Sequence, residues 1–426
     1  MPTELTLDDK ITLLMSLATD DRDGDAGRAA QLPPRLRNAG KGGALRPVNL
    51  RNVRMGNGPK TTLLRILMTT ACSFNCHYCP MRRDRDLPRT LLKPEELVRI
   101  FLGALRKGWC EGLFITTGIP GRPVKVMDDL IQVLELLRHR HGFRGYVHVK
   151  IVPGAEQSQV ERLTALATRV SLNLEAPCGA NLVRIAPEKR LATTLTNLEQ
   201  ARVQIVRAQA EERTGRPRDA LQPGGAAGMT VQFVVGATPD SDRAIVEKVA
   251  DLYSGGGIHH AHFSAFRPIR DTPMEAVPAT PALREHRLYQ ADYLLRRYGF
   301  GREEIVYDGA GNLPLARDPK VTAALSSPER FPMDVRRVSY AELVRVPGIG
   351  PATARRIVAE RRTTIIRGLA DLRRMGVLTS RAAGFLTLNG RRLRSERWLE
   401  QLTLWAPEED VGTYRGVYEF SPGTFR

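Results

Sequence analysis

Apolar and polar positions alternate in a way that predicts strands followed by helices across residues 61–330. Apolar runs rich in β-branched residues predict six strands, at residues 64–70, 113–117, 146–152, 170–175, 230–235 and 261–266. Helical spacing of apolar residues predicts helices between them, at residues 94–107, 127–139, 156–167, 193–212 and 242–254. Six strand–helix units in succession predict an α/β fold, a partial (β/α)6 barrel.

The rest of the chain divides into three further regions. Residues 1–60 combine a short amphipathic helix at residues 4–19 with a basic arm rich in Gly, Pro and Arg, which lacks periodicity and is predicted to be a loop. Residues 331–390 predict a small all-α domain. Residues 391–426 form a C-terminal tail, whose aromatic side chains are expected to dock on the body of the protein.

Polar side chains recur at every second position along several predicted strands. Because residues two apart on a strand share a face, these side chains should line the barrel interior: Tyr146, His148, Lys150, Ser171, Asn173, Glu175, Gln232, His262 and Ser264. A barrel packed for stability alone carries Val, Ile and Leu there. The polar interior favours a charged ligand, although each residue taken singly could equally be a satisfied structural hydrogen-bonding group.

Composition adds a strong basic balance. Sixty-four Lys and Arg against 46 Asp and Glu give a net charge of +18 in 426 residues. Such a charge favours a polyanionic partner, because basic side chains neutralise phosphates and release counterions; a general preference for Arg from GC-rich coding is the alternative. Five cysteines without a secretory segment indicate a reducing cytoplasm, and the lack of a run of about 18 apolar residues predicts no membrane partner.

Three cysteines follow the first predicted strand at CxxxCxxC spacing, namely Cys72, Cys76 and Cys79. Three thiolates on one loop can bind three irons of a [4Fe-4S] cubane, which leaves the fourth iron without a protein ligand. A zinc site needs four closed ligands, and only His77 lies nearby to complete one. A zinc loop and incidental cysteines are the alternatives to the cluster.

This spacing resembles that of the radical S-adenosylmethionine (SAM) enzymes, and the resemblance covers about residues 61–270. It implies that SAM binds at the open iron and that a reductant such as flavodoxin or ferredoxin supplies an electron. It further implies that Tyr78 lies near the adenine. The superfamily often has Gly-Gly-Glu after the second strand; this chain lacks the Glu, so the carbonyls near Thr117 and Gly118 are expected to bind the methionine amino group.

Three residues of the polar interior are predicted to contact the carboxylate, amine or ribose of the cofactor, namely Lys150, Asn173 and Glu175. Lys150 is the natural partner of the carboxylate. Cys178 follows the fourth strand at the mouth of the barrel, where catalytic residues of such folds gather. We predict that Cys178 donates a hydrogen atom to a substrate radical; a small apolar filler is the alternative.

A second motif lies in residues 343–358, where Pro-Gly-Ile-Gly separates two helical segments in the form of a helix-hairpin-helix. Backbone amides at such a turn can approach a phosphate, and the helix dipole favours an anion there. The predicted nucleic-acid-binding residues are Gly348, Gly350, Thr353, Arg355 and Arg356. Residues 369–386 resemble a degenerate second copy. The alternative is a helix-hairpin-helix used only for packing or protein contact.

With both motifs, and with the segments at residues 145–154, 284–300 and 331–336, the chain resembles a bacterial family of radical SAM proteins assigned to DNA modification or repair. That family is associated with a protein that resembles uracil-DNA glycosylase. The resemblance implies a radical enzyme that modifies or repairs nucleic acid, with DNA favoured over RNA. The alternatives are an RNA (tRNA) modification enzyme and a non-catalytic iron–sulfur protein that binds DNA or senses redox state.

Overall fold

The computed structural model describes residues 10, 11, 14, 50–54, 60–213 and 228–394. Residues 10, 11 and 14 are helical, so most of the helix predicted at residues 4–19 lies outside the described residues. Most of the basic arm and the tail beyond residue 394 lie outside them as well. By its contacts the chain divides into two units, of which the first spans residues 1–240, 251–282 and 417–426, and the second spans residues 241–250 and 283–416.

The first unit is built on a seven-stranded sheet whose strands follow chain order. Its strands are β1 (Leu50–Arg54), β2 (Lys60–Leu67), β3 (Gly112–Thr116), β4 (Val147–Lys150), β5 (Arg169–Glu175), β6 (Met229–Val235) and β7 (Ile258–Ala265). Strands β2 to β7 are parallel. The six predicted strands and the α/β fold class are therefore confirmed.

The strand β1 corrects the prediction of a loop for the whole basic arm. It pairs antiparallel with β2, with Leu50 opposite Leu64 and Arg54 opposite Lys60. Its short, mixed sequence has no apolar alternation, and its formation depends on the backbone groups of a neighbouring edge strand, which a local pattern does not report.

Helices follow the parallel strands. They are α1 (Pro94–Arg106), α2 (Pro123–Glu135), which continues as a π-helical turn (Leu136–Arg140), α3 (Gln157–Leu166), α4 (Gly179–Ile185), α5 (Leu191–Arg213) and α6 (Asp242–Ser254). In α1, Leu97, Phe101 and Ala104 are buried at helical spacing, and the Glu96 carboxylate accepts a hydrogen bond from Lys93 N at 2.8 Å at the start of the helix. The short helix α4 was not predicted.

The second unit contains α7 (Ala282–Tyr293), which continues as a π-helical turn (Leu294–Tyr298), α8 (Pro319–Leu325), α9 (Tyr340–Leu343), α10 (Pro351–Glu360), α11 (Leu369–Arg374) and α12 (Thr379–Ala382). Its 3-10 turns are Arg302–Glu304, Pro328–Arg330 and Ala383–Phe385. Three short strands, β8 (Met333–Asp334), β9 (Leu386–Leu388) and β10 (Arg391–Arg392), form a small sheet in the order β10-β9-β8. The predicted small helical domain therefore also contains a sheet.

The core of the second unit extends to residues before the helix-hairpin-helix. Leu343, Ile349 and Ile357 pack with Ala324 of α8, and the side chain of Tyr298 packs against the same cluster. Contacts of this kind explain why the division falls after Ala282, earlier than the boundary expected at residue 330.

An ion-pair cluster fixes the loop between α7 and α8. Arg345 donates to both oxygens of Glu304, at 2.7 and 2.6 Å, and Arg330 donates to the same carboxylate at 3.1 Å. Burial raises the pKa of Glu304, but the hydrogen bonds from Arg345, the Gly301 amide and Arg330 outweigh it and hold that pKa below its usual value. No helix of the described part of the chain is long and apolar enough to cross a membrane.

Candidate functional site

The cysteine loop lies directly after β2, at the ends of the parallel strands. Its backbone is tied to the loop after β3, because Ser73 N donates to Ile119 O at 2.7 Å, and to α4, because His77 N donates to Ile185 O at 2.7 Å. Cys76 is buried, whereas Cys72 and Cys79 are partly buried. Burial raises the pKa of the Cys76 thiol to about 11.

Arg89 fixes the far end of the same loop. Its guanidinium donates to the carbonyl oxygens of Thr70 at 2.7 Å, Met81 at 2.8 Å, Arg82 at 2.6 Å and Arg85 at 2.8 Å. The planar fork of five N–H donors suits this convergence of carbonyls. An arginine in a polar loop looks solvated in the sequence, so no local signal predicted this role.

The predicted residues Thr117 and Gly118 lie beside the cysteine loop. A Cβ atom on Gly118 would stand 2.2 Å from Ala71 O, so glycine is required by the close approach of the two loops. Gly118 N donates to Thr69 O at 3.0 Å, and the Thr117 hydroxyl donates to Gly118 O at 2.7 Å. That carbonyl keeps one further lone pair for another donor.

A buried ion pair that the sequence did not predict lies next to the cysteine loop. Lys189 Nζ donates to Glu175 Oε1 at 2.6 Å and lies 3.4 Å from the hydroxyl of Tyr78. The exposed fraction of the side chain is 10% for Lys189 and 1% for Glu175. Burial lowers the pKa of Lys189, but the charges of Glu175, Cys76 and Cys79 outweigh it and raise that pKa overall. Burial also raises the pKa of Tyr78 well above its usual value.

The backbone at Glu175 is held in an unusual conformation. Its φ is 63°, in the left-handed region, and Ala176 N donates to Leu174 O at 2.7 Å across it. This i to i+2 bond is that of a strained γ-turn. The register between β5 and β6 shifts between Asn173 and Glu175. The turn therefore interrupts the strand alternation at its last residue, next to Lys189 and Tyr78.

The predicted polar face is present on neighbouring strands. Lys150 Nζ of β4 donates to Gln232 Oε1 of β6 at 3.3 Å, across the intervening strand β5. Among the buried side-chain atoms of the described residues that have no hydrogen-bond partner are three oxygens of β5: Ser171 Oγ, Asn173 Oδ1 and Glu175 Oε2. Buried polar atoms of native proteins almost always have partners, and the amine and ribose hydroxyls of SAM are donors. The cysteine loop and these acceptors therefore fit a [4Fe-4S] cluster and SAM.

Cys178 lies at the N-terminus of α4 and is exposed, so it does not fill a core position. Its Sγ lies 3.9 Å from Asp240 Oδ1, and Asp240 also accepts hydrogen bonds from Asn181 Nδ2 at 2.7 Å and Thr238 Oγ1 at 2.5 Å. Thr238 also lines a cavity of about 160 Å³ together with His77 of the cysteine loop. The buried Cys110 precedes β3, at the opposite end of the strands.

In the second unit, the helix-hairpin-helix turn precedes α10. Gly348 has a φ of 81°, and a Cβ atom there would stand 2.6 Å from Leu378 O. Leu378 N donates to Gly348 O at 3.0 Å, and Thr353 Oγ1 donates to Gly376 O at 3.2 Å. The close backbone approach at Gly348 is therefore to the second hairpin of the same chain, where the sequence-based prediction placed a phosphate.

The other predicted residues of this motif lie on its accessible side. Gly350 is the N-cap of α10, and the nearest atom to a Cβ built there is the Tyr298 hydroxyl oxygen at 3.3 Å. Arg355 and Arg356 are exposed on α10. Residues 334–394 contain fourteen arginines and four acidic residues, which gives this segment a strongly basic balance.

Comparison with known proteins identifies the first unit. Residues 66–205 match the model of the radical SAM superfamily, and this segment contains the cysteine loop and the Glu175–Lys189 pair. The chain contains a radical SAM superfamily domain. It is an enzyme of that class, and its cofactors are a [4Fe-4S] cluster and SAM. Residues 334–360 of this radical SAM enzyme match the helix-hairpin-helix motif.

Solved structures of radical SAM proteins resemble the enzyme only distantly. The FeFe-hydrogenase maturase HydG from Carboxydothermus hydrogenoformans shares 17% identity over 55% of this chain and 51% of its own, with a TM-score of 0.43. Methylornithine synthase (PylB) shares 11% identity over 55% of this chain and 61% of its own, with a TM-score of 0.43. The methyltransferase TsrM from Kitasatospora setae shares 13% identity over 85% of this chain and 65% of its own, with a TM-score of 0.37. The enzyme spans about half the length of HydG, and no curated protein matches it.

Proposed function

We propose that this radical SAM enzyme modifies or repairs nucleic acid, with DNA as the favoured substrate. The observation that carries the proposal is a helix-hairpin-helix motif, with Arg355 and Arg356 exposed on its second helix, in the same chain as a radical SAM domain. Phosphate contacts by such a motif provide affinity without sequence information. The basic balance of residues 334–394 supports the same polyanionic partner.

In the first unit, Cys72, Cys76 and Cys79 would hold the cluster. When bound, the cluster and SAM supply a 5′-deoxyadenosyl radical, after an electron arrives from a reductant such as flavodoxin or ferredoxin. Arg89 keeps the loop in one conformation through four carbonyl contacts. The buried Lys189 places a positive charge beside the cysteine side chains.

The chain's own polar groups would bind and orient SAM. Glu175 Oε2 is buried and available to accept a hydrogen bond from the amine or the ribose, because Oε1 is already bound to Lys189. Asn173 Oδ1 offers a second acceptor. Lys150 would bind the carboxylate, while Tyr78 would contact the adenine and the carbonyls near Thr117 and Gly118 the amine.

In the second unit, the N-terminus of α10 and the arginines that follow it would bind backbone phosphates. Gly350, the N-cap of α10, is partly exposed, and the helix dipole adds a favourable potential there. A protein that resembles uracil-DNA glycosylase is a proposed partner. A cytoplasmic location, where thiols stay reduced, fits the proposal.

Anaerobic release of 5′-deoxyadenosine tests the proposal directly. The reconstituted enzyme is reduced and supplied with SAM, alone and with duplex DNA, single-stranded DNA or tRNA, and nucleosides are then analysed by mass spectrometry. We expect DNA to stimulate release and to yield a new nucleoside. Stimulation by tRNA alone would assign the enzyme to RNA modification. If no nucleic acid changes the rate or gains a modification, the proposed substrate class is wrong.

The Arg355→Ala, Arg356→Ala double variant is the matched test of binding. Its affinity for DNA should fall, and the slope of log affinity against log salt should flatten by about 1–2 units, because each lost phosphate contact removes about one released counterion. SAM cleavage without nucleic acid should not change. Binding with an unaltered salt slope would show that α10 does not contact phosphates.

A further inference from the structure

A lysine is buried directly beneath the helix-hairpin-helix turn. Lys320, in α8, is 8% exposed, and its Nζ donates to the carbonyl oxygen of Ile349 at 2.6 Å. The same ammonium lies 4.5 Å from the ring centroid of Tyr298. Asp318 caps α8 by accepting hydrogen bonds from Lys320 N and Val321 N, so the position of this lysine is fixed by its own helix.

The contact at Ile349 also determines the direction of the next amide. The Ile349 oxygen and the Gly350 N–H belong to one planar trans peptide group, in which the two point to opposite sides. Since Lys320 holds the oxygen on the buried side, the Gly350 N–H is directed to the opposite side. Gly350 is partly exposed, and within the described residues its amide has no acceptor.

We propose that Lys320 is a positioning residue for phosphate binding, which holds the Ile349–Gly350 peptide so that the Gly350 amide faces a nucleic-acid phosphate. This inference rests on the proposed function. Lys320 does not itself touch the phosphate, because its ammonium lies on the opposite side of the peptide. An ammonium bound to the carbonyl also polarises the peptide and strengthens the donor at its other end.

The electrostatic surroundings of Lys320 agree with a geometric role. Burial lowers the pKa of Lys320 well below its usual value, Asp318 opposes this shift, and Arg381 and Arg345 add to it. Asp318 is itself paired with Arg381. A lysine donates a hydrogen bond in its charged form and in its neutral form, so the peptide stays held whichever form is present.

The Lys320→Met variant removes the donor while it keeps a chain of similar length. We expect its affinity for a random-sequence DNA duplex to fall about 5–10-fold, the equivalent of one typical hydrogen bond. The salt slope should stay that of the wild type, because no charged phosphate contact is lost. Lys320→Arg keeps a donor and should retain most of the affinity. Melting curves of each variant check that the second unit is folded.

The outcomes separate this inference from the proposed function. If Lys320→Met binds DNA as tightly as the wild type while the Arg355→Ala, Arg356→Ala variant binds weakly, the role of Lys320 is refuted and the proposed phosphate binding by α10 stands. If the arginine variant also binds normally, the proposed phosphate binding by α10 and the inference about Lys320 both fail. Hydrogen exchange of the wild type gives an independent measurement: duplex DNA should protect the amide of Gly350, and an unprotected amide in the bound state would overturn the inference even if Lys320→Met unfolds.

Discussion

The buried pair of Lys189 and Glu175 allows a quantitative prediction. Replacing Lys189 by Met leaves the Glu175 carboxylate 1% exposed and without its ammonium partner, which lies at 2.6 Å. Removing one member of a buried ion pair costs about 3–5 kcal/mol, because the remaining charge is uncompensated. We therefore expect Lys189→Met to lower the free energy of unfolding of the cofactor-free protein by about that amount.

The expected change in melting temperature follows from the size of the unit. For a domain of about 150–250 residues, 1 kcal/mol corresponds to about 2–4 °C, so Lys189→Met should lower the midpoint by roughly 6–20 °C. The Glu175→Gln, Lys189→Met double variant should recover part of the loss, because it leaves no unpaired charge. Thermal unfolding followed by circular dichroism, together with urea unfolding, measures both effects.

A second lysine of the same unit provides the matched control. Lys125 pairs with Asp129 four residues along α2, and its side chain is 70% exposed. An exposed pair of this kind contributes little, so Lys125→Met should move the midpoint by less than about 2 °C. If Lys189→Met shifts the midpoint no more than Lys125→Met does, the buried pair does not stabilise the unit and the reasoning is refuted.

Four further predictions concern the two units. Cys76→Ala should fail to retain the about four irons of a reconstituted cluster, measured by iron analysis and absorbance, and retained SAM cleavage would contradict the assignment. Gly348→Ala should destabilise the second unit by about 1–3 kcal/mol through its left-handed φ and the contact with the second hairpin, whereas Gly350→Ala should melt like the wild type. Glu304→Gln should remove a stabilisation that is present above the usual Glu pKa of about 4.3 and lost as pH falls through the lowered pKa of the folded state. An unchanged dependence of stability on pH would show that the ion pairs of Glu304 do not stabilise the fold. Cys178→Ala should stop turnover while 5′-deoxyadenosine is still formed, because in the wild type the S–H bond of Cys178 would break to form a C–H bond on the substrate radical. Normal product formation by the variant would exclude Cys178 as the donor.

The fold of the parallel sheet was predictable because its signal is local and repeated. Each parallel strand carries buried apolar residues, and helices such as α1 show buried residues at helical spacing. Strand β1 lacks such a pattern and exists through its pairing with β2. The short helix α4 follows the strained turn at Glu175 too closely for a periodic pattern to develop, since it spans only Gly179–Ile185.

The cysteine loop was predictable for a different reason, because its ligand spacing is fixed by the chemistry of the cluster. The groups that support the loop carry no comparable signal. Arg89 binds carbonyl oxygens that are brought together only by the folded loop. Lys189 lies in a Pro-Glu-Lys-Arg segment that would ordinarily be assigned to the surface.

Lys189 and Lys320 show the same physical limit of sequence reasoning. Each is a lysine buried in its own unit, and each has an acceptor from a residue that is separated from it along the chain, Glu175 Oε1 for Lys189 and Ile349 O for Lys320. Burying an ammonium without such an acceptor would be costly. Because the acceptor is brought to the lysine only by folding, the sequence alone does not show that either lysine is buried. Both acceptors belong to a turn that holds an unusual backbone, a γ-turn at Glu175 and the hairpin after Gly348. A lysine bound to such a turn restricts the conformations available to it, so we expect replacement of either residue to disturb the adjacent binding groups in addition to any loss of stability.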